Sequence, residues 1–213
     1  MDLWFKYVAV IVVGYLLGSF NCSIIVSKAM LKQDIRNFGS GNAGSTNAFR
    51  VMGGKKTAIV MAGDFLKGIL GTLFAVVLFP EKGIIGSFPM MIAGISVVIG
   101  HVFPLYFNFQ GGKGILTTAA VLSIFDWRSL LIILAVFLIA VFLTRYVSLG
   151  SILAAVAFPF TILFLYPGNW LYFAISVFWG GSVIFLHRSN IKRLVTHTEK
   201  KFYFHRRPEG DKK

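Results

Sequence analysis

The chain is built from apolar runs long enough to cross a bilayer, and this limits its fold more than any motif does. A spanning helix needs about 20 apolar residues. Inside hydrocarbon each backbone polar group must be bonded internally, so only helices or closed barrels suffice. The runs are Leu3 to Val26, Thr57 to Phe79, Ile84 to Phe107, Leu130 to Thr144, Leu149 to Tyr166 and Trp170 to Leu186, with a shorter one at Ile115 to Phe125. Charged residues make up 14% of the chain, against roughly 25% in soluble domains. The pattern predicts an all-α integral membrane protein, one membrane domain over residues 1–213 with a basic cytoplasmic tail at 189–213. Lys6 precedes the first run as in a signal peptide, but no A-x-A-like cleavage site follows, so that run reads as a retained span.

Charge sets the topology. The short run at Ile115 to Phe125 is either re-entrant, leaving six spans, or a fourth helix, giving seven. Cytoplasmic loops carry the Lys and Arg excess. With seven spans, 17 of the 21 Lys and Arg fall on one side. They are Lys28, Lys32, Arg36, Arg50, Lys55, Lys56, Lys113, Arg145, Arg188 and the eight of the tail. Lys6, Lys82 and Arg128 fall opposite, and Lys67 lies within a span. Six spans would split the tail from the first loop. The expectation is therefore seven transmembrane helices, with the N-terminus outside and the C-terminus cytoplasmic. The fourth helix, over about Lys113 to Trp127, is too short for a ~30 Å core at ~1.5 Å per residue. It is sunk into the bundle or sits in a locally thinned membrane. A net charge of +13 often signals nucleic acid. In a chain of membrane runs it reads as loops facing anionic lipid, and no nucleic-acid partner is expected.

Two polar stretches interrupt the grease. Gly39-Ser40-Gly41-Asn42-Ala43-Gly44-Ser45-Thr46-Asn47 holds three glycines, several small hydrogen-bonding side chains and no acid, between Arg36 and Arg50. Its G-x-G-x-x-G spacing matches the dinucleotide fingerprint, with Asp64 further on. That fingerprint requires a strand–turn–helix in a parallel sheet, and here both flanks are membrane runs. The loop is either an anion cradle, with backbone N–H groups reinforced by Ser40, Asn42, Ser45, Thr46 and Asn47, or simply a flexible polar link. Gln110-Gly111-Gly112-Lys113-Gly114 opens the short helix. There the free N–H groups and dipole of a helix start, with Lys113, suit an anion; the alternative is a glycine hinge. By the charge count both loops, Arg145 to Ser148 and His187 to Asn190 belong to the cytoplasmic face and can converge.

Other ionisable groups leave narrower choices. Asp64 and Lys67 stand one helical turn apart inside a span, as an ion or proton path or, the preferred reading, as an internal pair that fixes helix packing. His101 and His187 end spans, where histidines often only pack. The four His and single Cys22 lack metal-ligand spacing, so no metal or cofactor is expected. One cysteine excludes an intramolecular disulfide. No His is followed by Asp at the acyltransferase spacing, and a Ser-His-Asp relay has no third member.

Taken in order, these stretches resemble the bacterial membrane acyl-phosphate:glycerol-3-phosphate acyltransferase family. The matching residues are Gly39 to Asn47 with Arg50, Asp64 to Gly68, Gly100-His101 with Pro104, Gly111 to Gly114, Arg145 to Ser148, and His187 to Leu194. Ser45, Leu116 and His197 depart from the family's usual small residues. The resemblance implies a seven-helix fold in a bacterial inner membrane with a cytoplasmic active site. It implies acyl transfer from acyl phosphate to the 1-hydroxyl of glycerol 3-phosphate, giving lysophosphatidic acid and phosphate, and contact with the enzyme that makes acyl phosphate.

On this reading Ser40, Thr46, Ser148, Asn190 and Lys113 hold the acyl phosphate group, with Asn47 a further donor. Arg50 takes glycerol 3-phosphate, and Lys113 bridges. Gly39, Gly41, Asn42, His101, Gly111, Gly112, Gly114 and Arg188 complete the binding set, and Arg36 adds charge. Catalysis is positioning and electrostatic stabilisation. A substrate phosphate oxygen takes the hydroxyl proton, oriented by His187 and Asn190. A transporter or channel for a small phosphate ester is the alternative, opposed by an odd span count and no visible inverted repeat. A lipid-binding scaffold leaves the clustered glycines unexplained.

Overall fold

The structure, a computed structural model, describes residues 2–80 and 86–203. The tail cations from Arg206 onward lie outside these residues. All regular structure among the described residues is helical. Two compact units divide the chain, Met1–Leu130 and Leu131–Lys213.

In the first unit, α1 (Leu3–Ser19) and α2 (Cys22–Leu31) together form one candidate span, Leu3–Leu31, which contains the first span expected from Leu3 to Val26 and is interrupted at Phe20 and Asn21. The break is not a flaw in the apolar pattern. Asn21 caps α2 by accepting the Ile24 N–H at 3.2 Å, so a polar side chain competes with helix continuation. The exposed backbone groups are then met from a neighbouring helix. Lys67 Nζ donates to Phe20 O at 2.8 Å, and Asp64 Oδ1 accepts the Cys22 N–H at 3.3 Å. A cation at the end of α1 and a carboxylate at the start of α2 also match the two helix dipoles. The preferred sequence reading of Asp64 and Lys67 as an internal pair agrees with their 2.8 Å contact, both side chains being buried.

A 3-10 turn at Ile35–Asn37 leads to the first glycine loop and the short α3 (Ser45–Met52). Next come α4 (Gly54–Leu78), α5 (Phe88–Val102) and α6 (Ile115–Phe125). Helix α4 packs against α1, α2, α3, α5 and α6. The α1–α5 crossing is closest at glycine. A β-carbon on Gly18 would run into the Val97 backbone, and one on Gly100 into Tyr15 O. Small residues let membrane helices approach this way and gain van der Waals contact that lipid cannot supply.

The second unit takes in most of α7 (Trp127–Thr144), then α8 (Val147–Leu165), α9 (Trp170–Leu186) and α10 (Arg188–Val195). Helices α9 and α10 meet at a 59° bend at His187. Helix α10 stops at Val195, and the following segment folds back, Phe202 N–H donating to Arg145 O at 2.8 Å.

Among the described residues, five helical stretches are long and apolar enough to cross a membrane, and the bent α9–α10 pair makes up to six. Helix α6 has only 11 residues, shorter than the expected Lys113 to Trp127. It nevertheless packs against α4 and α5, which gives its apolar sides partners within the unit.

Candidate active site

The first glycine loop is shaped by Asn47. This residue, 1% exposed on α3, donates from Nδ2 to Ile35 O at 3.3 Å and Phe38 O at 3.0 Å, while Oδ1 accepts the Ser40 N–H at 2.8 Å. Gly39 and Gly41 take φ of 66° and 72°, a region other residues enter at a cost. A β-carbon on Gly39 would also meet Asn47 Oδ1. Asn47 is thus the loop's internal brace, a correction to its expected role as a phosphate donor, because both amide protons are turned to backbone carbonyls. Asn21 Nδ2 adds a bond to Ala43 O at 3.2 Å.

What the loop offers outward is a set of hydroxyls. Helix α3 begins after Gly44 with no side-chain cap, so its first N–H groups lack the usual partner. Ser40 is exposed, while Ser45 and Thr46 are half-buried in the first turn. Their hydroxyls make no hydrogen bond among the described residues. Asn42 sits beside Gly44. Arg50 lies one turn further along α3, half-buried.

The second loop is fastened to the end of α5. Gly111 N–H donates to Val102 O at 3.0 Å and Gly112 N–H to His101 O at 3.1 Å. Side chains at either glycine would strike the α5 end, that at Gly112 meeting His101 Nε2 and Ala43 O. This near approach brings the two glycine loops together within one unit. Gly114, with φ 75°, ends the loop, and α6 follows without a side-chain cap. Lys113 is half-buried at that helix start.

Arg36 joins the loops. Its Nη1 donates to Phe107 O at 2.8 Å and Gln110 O at 3.1 Å, and its Nε and Nη2 form a fork with Asp34 at 3.0 and 2.8 Å. The Asp34 carboxyl is held at about 2, first by the side-chain hydrogen bond from Arg36. Arg36 is therefore a latch, not the spare anion-binding cation read from the sequence.

In the second unit His187 is buried, its Nδ1 donating to Val183 O at 2.8 Å. A carbonyl can only accept, so Nδ1 carries a proton. Arg188 is exposed and stacks on Phe185, its guanidinium carbon 4.6 Å from the ring centroid. Ser148 and Asn190 share a partner missed in the sequence. Glu199 Oε1 accepts from Ser148 Oγ at 2.8 Å and Asn190 Nδ2 at 2.7 Å, and Oε2 from Arg193 Nε at 2.6 Å. Burial pushes the Glu199 carboxyl up, but the hydrogen bonds from Arg193, Asn190 and Ser148 outweigh it and leave its pKa lowered. The available signal was a single acid between Lys192-Arg193 and Lys200-Lys201. The donors assigned to phosphate at Ser148 and Asn190 are, in this structure, bonded to that carboxylate.

Residues 8–197 match a family model described as glycerol-3-phosphate acyltransferase. The glycerol-3-phosphate acyltransferase of Chlorobaculum parvum is 42% identical over 229 residues, covering 94% of this chain and 98% of that protein. That of Thermoanaerobacter pseudethanolicus is 43% identical over 190 residues, covering 89% and 92%. Among solved structures, PlsY, an integral membrane glycerol 3-phosphate acyltransferase, superposes in its glycerol 3-phosphate form with a TM-score of 0.82 at 35% identity, over 92% of this chain and 96% of that one. Its lysophosphatidic acid form gives 0.79 at 34%, over 93% and 96%. The fold is accordingly that of a multi-pass membrane protein, and the chain belongs to the glycerol-3-phosphate acyltransferase family.

Proposed function

We propose that this chain transfers a fatty acyl group from acyl phosphate to the 1-hydroxyl of glycerol 3-phosphate, giving lysophosphatidic acid and phosphate for phospholipid synthesis. The observation that carries the reading is the pair of glycine loops in the first unit. They approach at Gly112 and Ala43 and are latched by Arg36. Each loop ends at a helix start with no side-chain cap. Two such starts suit two phosphates, one on each substrate.

In this reading Ser40, Thr46 and Lys113 hold the acyl phosphate, and Arg50 holds glycerol 3-phosphate with Lys113 bridging. Gly39, Gly41, Gly111, Gly112 and Gly114 let the backbone approach the anions. Asn42 and Arg188 remain assigned to substrate, whereas Asn47 supports the loop, and Ser148 and Asn190 support Glu199. The 1-hydroxyl oxygen attacks the acyl carbonyl carbon. The new ester bond forms as the bond to the phosphate oxygen breaks, and phosphate leaves with that electron pair. The hydroxyl proton passes to a substrate phosphate oxygen, and His187 keeps its assigned role of orienting that oxygen. Acyl phosphate is a mixed anhydride with a good leaving group, so placement and charge stabilisation supply the rate.

The reading includes one membrane domain of seven spans with 189–213 as its cytoplasmic tail, an outside N-terminus, a cytoplasmic site and a bacterial inner-membrane location. It is supported by the Lys and Arg asymmetry and the short buried α6. Delivery of so reactive a donor favours contact with the enzyme that makes it. Binding tests the cradle directly. Purified protein in detergent should bind radiolabelled glycerol 3-phosphate saturably and glycerol not at all, with Arg50→Gln weakening the former. Equal binding of glycerol would overturn the phosphate assignment.

A further inference from the structure

We propose that His101 is a substrate-contacting residue, a neutral imidazole whose Nε2–H donates to the phosphate held by the 111–114 loop. The inference rests on the phosphate-loop reading and adds the group, the atom and the protonation form.

Three acceptors surround Lys67 Nζ. Asp64 Oδ1 lies at 2.8 Å, Phe20 O at 2.8 Å and His101 Nδ1 at 2.9 Å. An ammonium has three protons and no lone pair, so each contact uses one proton and each partner accepts. Lysine is the stronger base by about four units in water, so the proton stays on Lys67 and Nδ1 stays bare. Asp64 Oδ1 is 3.7 Å from Nδ1, beyond hydrogen-bond reach, so the carboxylate does not hold a proton there instead. The ring's one proton is then on Nε2.

Nε2 meets the loop. The imidazole is 4% exposed, and Nε2 has no hydrogen-bond partner among the described residues. It abuts Gly112, so a β-carbon there would strike it, and Ala43 O of the first loop borders the same spot. The Nε2–H thus has no acceptor within the described fold, and a phosphate oxygen bound beside Gly112 would supply one. Lys67 and Asp64 thus serve two ends at once. They satisfy the α1–α2 break and set the histidine tautomer one layer below the site.

The test uses full-length protein in detergent, labelled with 15N histidine, the His101 signals being assigned by their loss in His101→Gln. Long-range 1H–15N spectra should show Nδ1 unprotonated and Nε2 protonated at neutral pH, with Nε2 shifting on saturation by glycerol 3-phosphate or by inorganic phosphate. An Nδ1–H tautomer, an imidazolium, or an Nε2 unmoved by both ligands would overturn the proposal. Kinetics give the second arm. His101→Leu should raise KM about tenfold or more for the substrate whose phosphate it meets. His101→Gln, whose amide nitrogen reaches near the Nε2 position, should recover most of that loss. A rise confined to glycerol 3-phosphate names the acceptor, and one confined to acyl phosphate names the donor substrate. Equal KM values in His101→Leu and wild type would overturn it. Wild-type protein that makes no lysophosphatidic acid removes the phosphate-loop reading and this proposal together, whereas an active enzyme with an unresponsive Nε2 removes only the proposal.

Discussion

Asn47 Oδ1 accepts the backbone N–H of Ser40 at 2.8 Å, tying the start of the first glycine loop to the helix that follows it. The same amide donates to Ile35 and Phe38 carbonyls. One buried side chain therefore fixes the path of the loop while the Ser40 hydroxyl stays outside that network. Asn47→Ala should cost on the order of 2–4 kcal/mol through three lost bonds and their stranded partners, seen as a lower Tm in detergent together with lost activity. Ser40→Ala should cut kcat/KM at least about tenfold with an unchanged Tm. A Ser40→Ala variant of full activity would contradict the assignment.

The Arg36 latch predicts a split between binding and stability. Arg36→Ala frees the Phe107 and Gln110 carbonyls that hold the second loop beside the first. KM for the phosphate substrates should rise several-fold with a smaller change in kcat. Asp34 supplies a pH signature. Its folded pKa of about 2 lies below the ordinary aspartate value of 3.8, so its contribution is fully present above about pH 4 and is lost as pH falls toward 2. Wild type should lose this increment of stability only in that acid window, and Asp34→Asn should lack the increment at neutral pH. Thermal melts across pH 2 to 6 check the sign.

Glu199 predicts that the tail is part of the fold. Its carboxylate gathers Ser148, Asn190 and Arg193, and the segment beyond it returns to Arg145. Glu199→Gln should lower Tm and expose the tail to limited proteolysis, with activity falling in parallel. Its lowered pKa means the clamp holds above the carboxylate's ordinary range and weakens as pH drops below it. Removal of residues 198–213 without loss of stability would contradict this role.

Substrate assistance predicts an unchanged shape of the pH–rate profile. If a substrate phosphate oxygen takes the proton, His187→Gln lowers kcat but keeps both limbs of log kcat through neutrality. A limb that disappears in this variant would assign the proton to the histidine.

The helix crossings predict a pair of opposite results. Gly18→Ala pushes a β-carbon into the Val97 backbone, whereas a β-carbon on Gly181 meets nothing within 4 Å. Gly18→Ala should cost roughly 1–3 kcal/mol and Gly181→Ala close to none, as read by thermal unfolding in the same detergent.

The spans and the two loops were legible because apolar length and glycine clusters are local signals. Trp170 to Leu186 appears as α9 with the same ends, and α8 is displaced by only two residues at its start. The break after Ser19 was hidden. The groups that make it tolerable, Asp64 and Lys67, arrive from more than 40 residues away, and an apolar run carries no mark of them. The site was read too generously. Asn47, Arg36, Ser148 and Asn190 have the right chemistry for phosphate, but their donors are turned to carbonyls or to Glu199 within the fold. Residue type announces a donor, and only three-dimensional neighbours show where it points.

The central claim is acyl transfer between two phosphate-bearing substrates, and one assay tests it most directly. Purified protein in detergent, which removes any compartment, is given palmitoyl phosphate and glycerol 3-phosphate. Lysophosphatidic acid and inorganic phosphate should appear in equal amounts, and palmitoyl-CoA in place of palmitoyl phosphate should give no product. Absence of lysophosphatidic acid from palmitoyl phosphate, with glycerol 3-phosphate movement detectable only in sealed vesicles, would contradict the account and leave a transporter in its place.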